Sequence, residues 1–314
     1  MSGHSFKIPI LFLIFNRPAT TKVVFEKIRQ IQPQYLYIAA DGPRTGNASD
    51  KQLCTECRAI IQQIDWDCKL QTLFRDENLG CKNAISSAID WFFENEEMGI
   101  ILEDDCVPDL SFFPFCEDLL NFYKDDPRII MISGDKFYPF KRIHSQQSYY
   151  FSRYPHIWGW ASWRRAWKYY DVNLTTWPEI KENINLLYDV LGKWEYIAYW
   201  FEVFTAVHLG RIQTWDFQWT YACWKNSGLS IVPAANLVKN IGFGADATHT
   251  QDSNSTMAKI HTSPMNFPLK HPSVIKSDII ADNYIQRHCY ENGSRAEVIK
   301  LKIKSIPLWL RYIY

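Results

Sequence analysis

The chain has 314 residues, enough for one large α/β domain or two small ones, and 47% of them are hydrophobic, which argues against global disorder. Its 34 Lys and Arg balance 34 Asp and Glu, so the basic excess of a dedicated nucleic-acid binder is missing and no nucleic-acid partner is expected. The unusual figure is an aromatic load of 16% with 13 Trp, which suits either a dense core or surfaces that stack on sugar rings.

The apolar run at 8–15 is short, lacks a small-residue cleavage site and stops at Asn16-Arg17-Pro18. It reads as a strand covered on both faces, not as a signal peptide. Pro18 fits the first turn of a helix whose Val24, Ile28 and Ile31 recur at helical spacing. "YLYIAADGPR" (35–44) reads as a second strand ending in a turn, 49–64 as helical and "KLQTLFRD" (69–76) as a third strand. An amphipathic helix follows at 80–96, then a fourth strand, "GIIL" (99–102). The stretch 110–126 is expected to be helical with its regular part starting at Pro114, and 128–134 to be a fifth strand.

Strands and helices alternating at this rhythm predict an α/β fold, a mostly parallel sheet flanked by helices. In such sheets ligands bind outside the carboxyl ends of the strands. Arg17, Asp41 and the triplet Glu103-Asp104-Asp105 are therefore expected on one rim.

The second half is aromatic-rich. Residues 153–171 pack four Trp into ten positions, and Trp160, Trp163 and Trp167 are expected on one helical face. A helix at 211–228, a short strand and turn at 229–242 and a polar loop at 243–256 follow. No clean linker separates the halves, and no stretch approaches the ~20 apolar residues of a spanning helix. The 8 cysteines are scattered, and the Cys54–Cys57 pair has no second close pair after it, so reduced thiols in a reducing compartment are expected. The tail at 298–314 mixes Lys and Arg with large apolar residues, which suits peripheral docking on an anionic membrane surface.

Three adjacent carboxylates at the end of a buried strand repel one another unless a cation or a set of donors compensates. A divalent ion held by one or two of them, with its other positions on a diphosphate, is one solution; a solvated acidic turn is the plain alternative. Asp216 sits between Trp215 and Phe217, where partial desolvation would make it a better base; an exposed helical Asp beside buried aromatics fits the spacing equally well. His249 in a polar loop is either a metal or phosphate ligand or a surface histidine. Arg17 and Arg44 follow strand ends and suit phosphate.

The strings "PILFLIFNRPATTKVVFEKIRQ", "YIAADGPR", "DENLGCKNAISSAIDWFF", "GIILEDDCVPDLSFFPFCEDLL", "GWASWRRAW" and "TWDFQW" together resemble bacterial glycosyltransferase-like proteins of the GT-A (Rossmann-like) fold. These are the group labelled family-two or haemolytic-protein-like, and the motif order is also similar to that of N-acetylglucosaminyltransferase I. The resemblance spans roughly residues 8–250. It implies a metal-dependent inverting transfer of a hexosyl or N-acetylhexosaminyl unit from a nucleotide-sugar, UDP-linked in the first instance. The acceptor would be a hydroxyl of a glycan or lipid-linked glycan used in bacterial surface polysaccharide synthesis. Asp105 would ligate Mn²⁺ or Mg²⁺, with His249 as a further ligand. Glu103 and Asp104 would serve the ribose and the waters of the metal, Asp41 the nucleobase edge, and Arg17 and Arg44 the nucleotide. Trp158 and Trp160 would shape the donor pocket, and Asp216 would be the base. A second acid beside the base, present in N-acetylglucosaminyltransferase I, is replaced here by Phe217.

On this reading 1–135 is the nucleotide-sugar-binding half, 136–256 the acceptor and catalytic half of the same domain, and 257–314 a C-terminal extension that docks at the inner face of the membrane of a cytoplasmic protein. Two other readings are a sugar nucleotidyltransferase, which "FNRPATTK" disfavours because it lacks glycine, and a non-enzymatic carbohydrate- or membrane-binding protein. The sequence does not fix an oligomeric state.

Overall fold

Apolar runs bounded by turns become the centre of the sheet. In the computed structural model, which describes residues 6–140, 146–243 and 259–290, Ile10–Ile14 forms β1 with every residue buried. Tyr35–Ala40 (β2), Lys69–Phe74 (β3) and Met98–Glu103 (β4) join it in parallel, in the order β3-β2-β1-β4. The sheet then continues through Trp160–Trp163 (β8), Ile129–Ser133 (β6), Leu229–Pro233 (β9) and Tyr149–Ser152 (β7). β8 is antiparallel to both β4 and β6, so β6 points the same way as β4, and β9 runs parallel to β6. Six of the eight strands thus end on one rim, and the expected α/β class with a mostly parallel sheet is what is found. A small second sheet pairs Cys106–Pro108 (β5) with Val238–Asn240 (β10).

Period-two alternation divides the core. Ile10, Phe12 and Ile14 face one side, against Pro18–Ile31 (α1), Asp50–Arg58 (α2) and Phe112–Phe122 (α4). Leu11 and Leu13 face the other, against Gly80–Asn95 (α3) and the later helices. Those are Arg164–Trp167 (α5), Trp177–Ile180 (α6), Asn185–Leu191 (α7), Trp194–His208 (α8) and Asp216–Lys225 (α9). Ile279–Ile285 (α10) follows, continued by a π-helical turn at Gln286–Tyr290, with Asp278 accepting the amide hydrogens of Ile280 and Ala281 at its start.

Two expectations change. α4 begins at Phe112, ahead of Pro114, because a proline in a helix's first turn blocks no intrahelical bond. Trp160 and Trp163 belong to a strand, not a helix, so the three-residue step places them on opposite faces. Trp160 joins Trp215 and Trp219 in the second core, whereas Trp163 packs in the first and donates its indole N–H to the Leu120 carbonyl at 3.1 Å. His249, most of the polar loop and the basic tail lie outside the described residues. No helix among the described residues is long and apolar enough to cross a membrane.

Candidate active site

β1 and β4 are neighbours in register, with Leu13 opposite Glu103, so the turns that follow them emerge side by side. Arg17, one residue before α1, reaches the acidic triplet there. Its Nη1 donates to Asp105 Oδ2 at 2.9 Å and its Nη2 to Asp104 Oδ1. The Phe15 amide also donates to Asp104 Oδ2 at 3.4 Å. Asp105 Oδ1 accepts from Asn240 Nδ2 and from the Cys106 thiol, each at 3.4 Å. The Ile241 amide donates to the Asp105 carbonyl at 2.8 Å, which lays the segment after β10 across the triplet.

That segment needs a glycine. A Cβ on Gly242 would stand 2.1 Å from Asp105 Oδ2 and 2.9 Å from Arg17 Nη1. The bare backbone leaves a cradle beside the carboxylate that any other residue would fill.

One guanidinium does not neutralise three acids. Burial pushes the Glu103 carboxyl up to about 8, and Asp105 and Asp104 add to the push. Asp104 rises to about 6 although Arg17 touches it, because burial and the Asp105 charge outweigh the pair. Burial opposes the Arg17 charge as well, but the two aspartates win and hold its proton more firmly than usual. The turn therefore crowds three carboxyl groups around a single guanidinium.

Asp216 is the first residue of α9, and the Thr214 hydroxyl donates to its Oδ1. Its charge is felt at Glu103, at the Cys81 thiol and at the Tyr170 and Tyr290 hydroxyls, which sets it on the same rim as the triplet. Tyr170 fixes the helix start by donating to the Trp215 carbonyl at 3.1 Å.

Asp41, Arg44 and Trp160 are committed elsewhere. Asp41 Oδ1 accepts from the amides of Gly42 and Leu79 at 2.9 and 3.0 Å, and its Oδ2 from Asn78 Nδ2 and the Gly80 amide at 2.9 and 3.1 Å. Four donors use a carboxylate's lone pairs, so Asp41 ties the end of β2 to the start of α3 instead of presenting itself to a nucleobase. Gly42 permits this close approach, since a Cβ there would meet the Glu77 backbone at 2.3 Å. Arg44 forks onto Asp50, Nε–Oδ2 2.6 Å and Nη2–Oδ1 2.8 Å, and Asn16 Nδ2 completes the buried Asp50 at 2.9 Å. Trp160 is 0% exposed within the aromatic core and cannot reach a donor. Trp158 is only half-buried, and its ring meets Phe137 edge-on at 4.7 Å and Phe243 at 5.5 Å.

The sequence reading missed a second buried pair. Asp135 follows β6 on the same rim, with Oδ2 3.3 Å from His156 Nδ1. The Trp158 amide donates to its Oδ1 at 3.2 Å. Burial raises the Asp135 carboxyl, against the opposing influence of His156. "SGDKFY" looks like any polar turn, and nothing local joins it to a histidine 21 positions on.

No family model matches the chain, and no curated protein matches it. Among solved structures it is similar to glucosyl-3-phosphoglycerate synthase from Mycobacterium tuberculosis in complex with Mn²⁺, UDP and glucosyl-3-phosphoglycerate, at 13% identity and TM-score 0.35 over 65% of this chain and 80% of that one. It is also similar to mouse xyloside xylosyltransferase 1, at 11% identity and TM-score 0.33 over 69% and 80%. A third similarity is to HddC from Yersinia pseudotuberculosis, at 10% identity and TM-score 0.31 over 52% and 80%. Likeness this distant assigns no role to any residue here; the roles below rest on the chain's own geometry.

Proposed function

We propose that the chain is a metal-dependent, inverting glycosyltransferase of the GT-A type that takes a nucleotide-sugar donor, UDP-linked in the first instance, and a glycan or lipid-linked hydroxyl acceptor. The observation that supports this reading most is the crowding of three carboxyl groups around one guanidinium at the end of β4, with Asp216 near enough to act on Glu103.

The residues fit a hard divalent cation. From the triplet such a cation would take one or two carboxylate oxygens, with its other positions left to the donor. That is the pattern of Mg²⁺ or Mn²⁺ shared with a diphosphate. Asp105, beside the Gly242 cradle, is the ligand we assign, with Glu103 and Asp104 toward the ribose and the bound waters. When bound, the ion would carry the charge of the leaving diphosphate. His249 remains a proposed further ligand.

The protein groups do the rest. Asp216 accepts the proton of the acceptor hydroxyl. That oxygen forms its bond to the anomeric carbon as the carbon–oxygen bond to the diphosphate breaks, with the electron pair leaving on the diphosphate. A single in-line displacement inverts the anomeric centre. The Thr214 hydroxyl engages Oδ1 of Asp216, and Oδ2 takes the proton. Arg17 orients both aspartates, and the half-buried Trp158 offers a ring to the donor sugar.

The test is thermal stabilisation by UDP with and without Mn²⁺, since a ligand that binds the native state raises its apparent stability. The native chain should gain stability only with both present, and Asp105→Asn should abolish the gain. Equal stabilisation of both proteins by UDP would remove the metal from the proposal.

A further inference from the structure

The five most exposed large hydrophobic side chains among the described residues share one flank. Ile280, Val274, Ile279, Phe122 and Phe140 are 58% to 68% exposed. β7 is the last strand of the sheet, and the stretch from Lys270 to Asp278 runs along its open side. The Ser148 amide donates to the Lys270 carbonyl at 2.9 Å at one end, and the Asp278 amide to the Phe151 carbonyl at 2.8 Å at the other. Val274 lies midway along this stretch. Ile279 and Ile280 open α10 directly after it. One turn on from Ile280 stands Tyr284, whose ring meets the exposed Phe140 edge-on at 5.8 Å. At the far end Phe122 stacks on His271 at 4.1 Å.

Single exposed apolar residues are ordinary, but a concentration of them on one flank marks a contact surface. α10 divides accordingly: Ala281 and Ile285 pack inward, whereas Ile279 and Ile280 stay in water. The polar residues among them say what kind of surface it is. Lys270 and Lys276 are exposed on the same stretch. The two acids of 270–282 are buried: Asp278 accepts amides at the start of α10, and Asp282 accepts from Arg153 Nε at 2.9 Å. Asp118, an exposed acid on α4, lies at the far end, close enough to His271 to feel its charge. Beyond Tyr290 the sequence goes on to 298–314, where Lys and Arg again mix with large apolar residues. Aliphatic side chains beside exposed lysines are the make-up of a surface that enters anionic lipid headgroups.

We propose that this flank docks on an anionic lipid bilayer, with Val274, Ile279 and Ile280 entering the headgroup region and Lys270 and Lys276 at its phosphates. The docking stands apart from the transferase reading; only its link to a lipid-linked acceptor rests on that reading. α10 and the π-helical turn run from Ile279 to Tyr290, roughly 15 Å at ~1.5 Å per residue. Tyr290 lies near enough to Asp216 for its hydroxyl to feel that charge. One helical run thus joins the lipid-facing flank to the proposed base.

Flotation of the full chain with vesicles tests it, using phosphatidylcholine mixed with phosphatidylglycerol and phosphatidylcholine alone. The native chain should float with the mixed vesicles and much less with the neutral ones. A Val274→Ser, Ile279→Ser, Ile280→Ser triple variant should lower the partition into mixed vesicles by at least about tenfold, with a native melting temperature. Lys276→Glu, a single exposed change, should lower it on the mixed vesicles only. No flotation of the native chain, equal recovery with the two vesicle types, or flotation that both variants retain overturns the proposal. A native dimer that the triple variant abolishes, without flotation of either protein, overturns it in favour of a second copy. Stabilisation by UDP with Mn²⁺ in the same samples separates it from the transferase reading. A native chain that UDP stabilises but vesicles do not capture sinks the flank alone, whereas docking without any UDP response sinks the transferase and leaves the flank.

Discussion

Gly242 and Asp105 lie in contact across 137 positions of sequence, closer than any side chain on residue 242 would allow: a Cβ there would sit 2.1 Å from the carboxylate Oδ2. Asp105 cannot simply swing aside, because Arg17, Asn240 and the Cys106 thiol all hold it. Gly242→Ala should therefore cost about 1–3 kcal/mol in urea unfolding, the usual penalty of overpacking. It should also weaken Mn²⁺ binding measured by electron paramagnetic resonance. An alanine variant of native stability and native metal affinity would show that the cradle has no role.

The triplet predicts a pH dependence in metal-free buffer. Glu103 is raised from 4.5 to about 8 and Asp104 from 3.8 to about 6, so the folded chain binds protons more tightly than the unfolded one. The stability this confers is complete below the unfolded values and is lost as pH rises through the folded ones. The melting temperature should fall from about pH 4 to about pH 8, and Glu103→Gln should flatten the upper part of that fall. Mn²⁺ with UDP should offset the loss. A wild-type minus variant difference that is level from about pH 5 to pH 9 would mean that the Glu103 carboxyl is not raised.

Asp216→Asn separates chemistry from binding. Removing a positioned base costs typically 10²–10⁴ in rate, so kcat should fall by about that factor while UDP binding stays native. A variant with unchanged turnover would move the base elsewhere, with the buried Asp135 the next residue to substitute.

Trp160→Ala should act on stability alone. Its ring stacks on Trp215 at 5.7 Å and meets Trp219 at 5.8 Å, fully enclosed, so truncation should cost about 3–5 kcal/mol. At a temperature where the variant is folded, its affinity for UDP should match the native value. Trp158→Ala should do the reverse, with a small change in melting temperature and weaker binding of the intact UDP-sugar.

The first half of the chain was legible because its signals are local. An apolar run such as Ile10–Ile14 can be covered only on both faces, and Val24 and Ile28 recur at the helical step. Trp160 and Trp163 misled because a three-residue step between large apolar residues fits one helical face or two faces of a strand. Pairing of β8 with β4 and β6 decided it, by placing Trp160 between Ile101 and Ser133. Asp41 and Arg44 looked available because their partners are read only in three dimensions: Asn78 to Gly80 lie on another turn, and Asp50 hides inside α2.

Sequence by itself determined the strand–helix order, the acidic end of β4 and the presence of Arg17 and Asp216, since each follows from which residues adjoin one another. Tertiary structure alone decided which charges remain unspent. Asp41 and Arg44 are consumed by donors and acceptors from distant turns, whereas Glu103, Asp104 and Asp105 share a single guanidinium. Net charge is a sum over side chains that sequence supplies, but its local balance depends on distances of a few ångströms, and folding sets those.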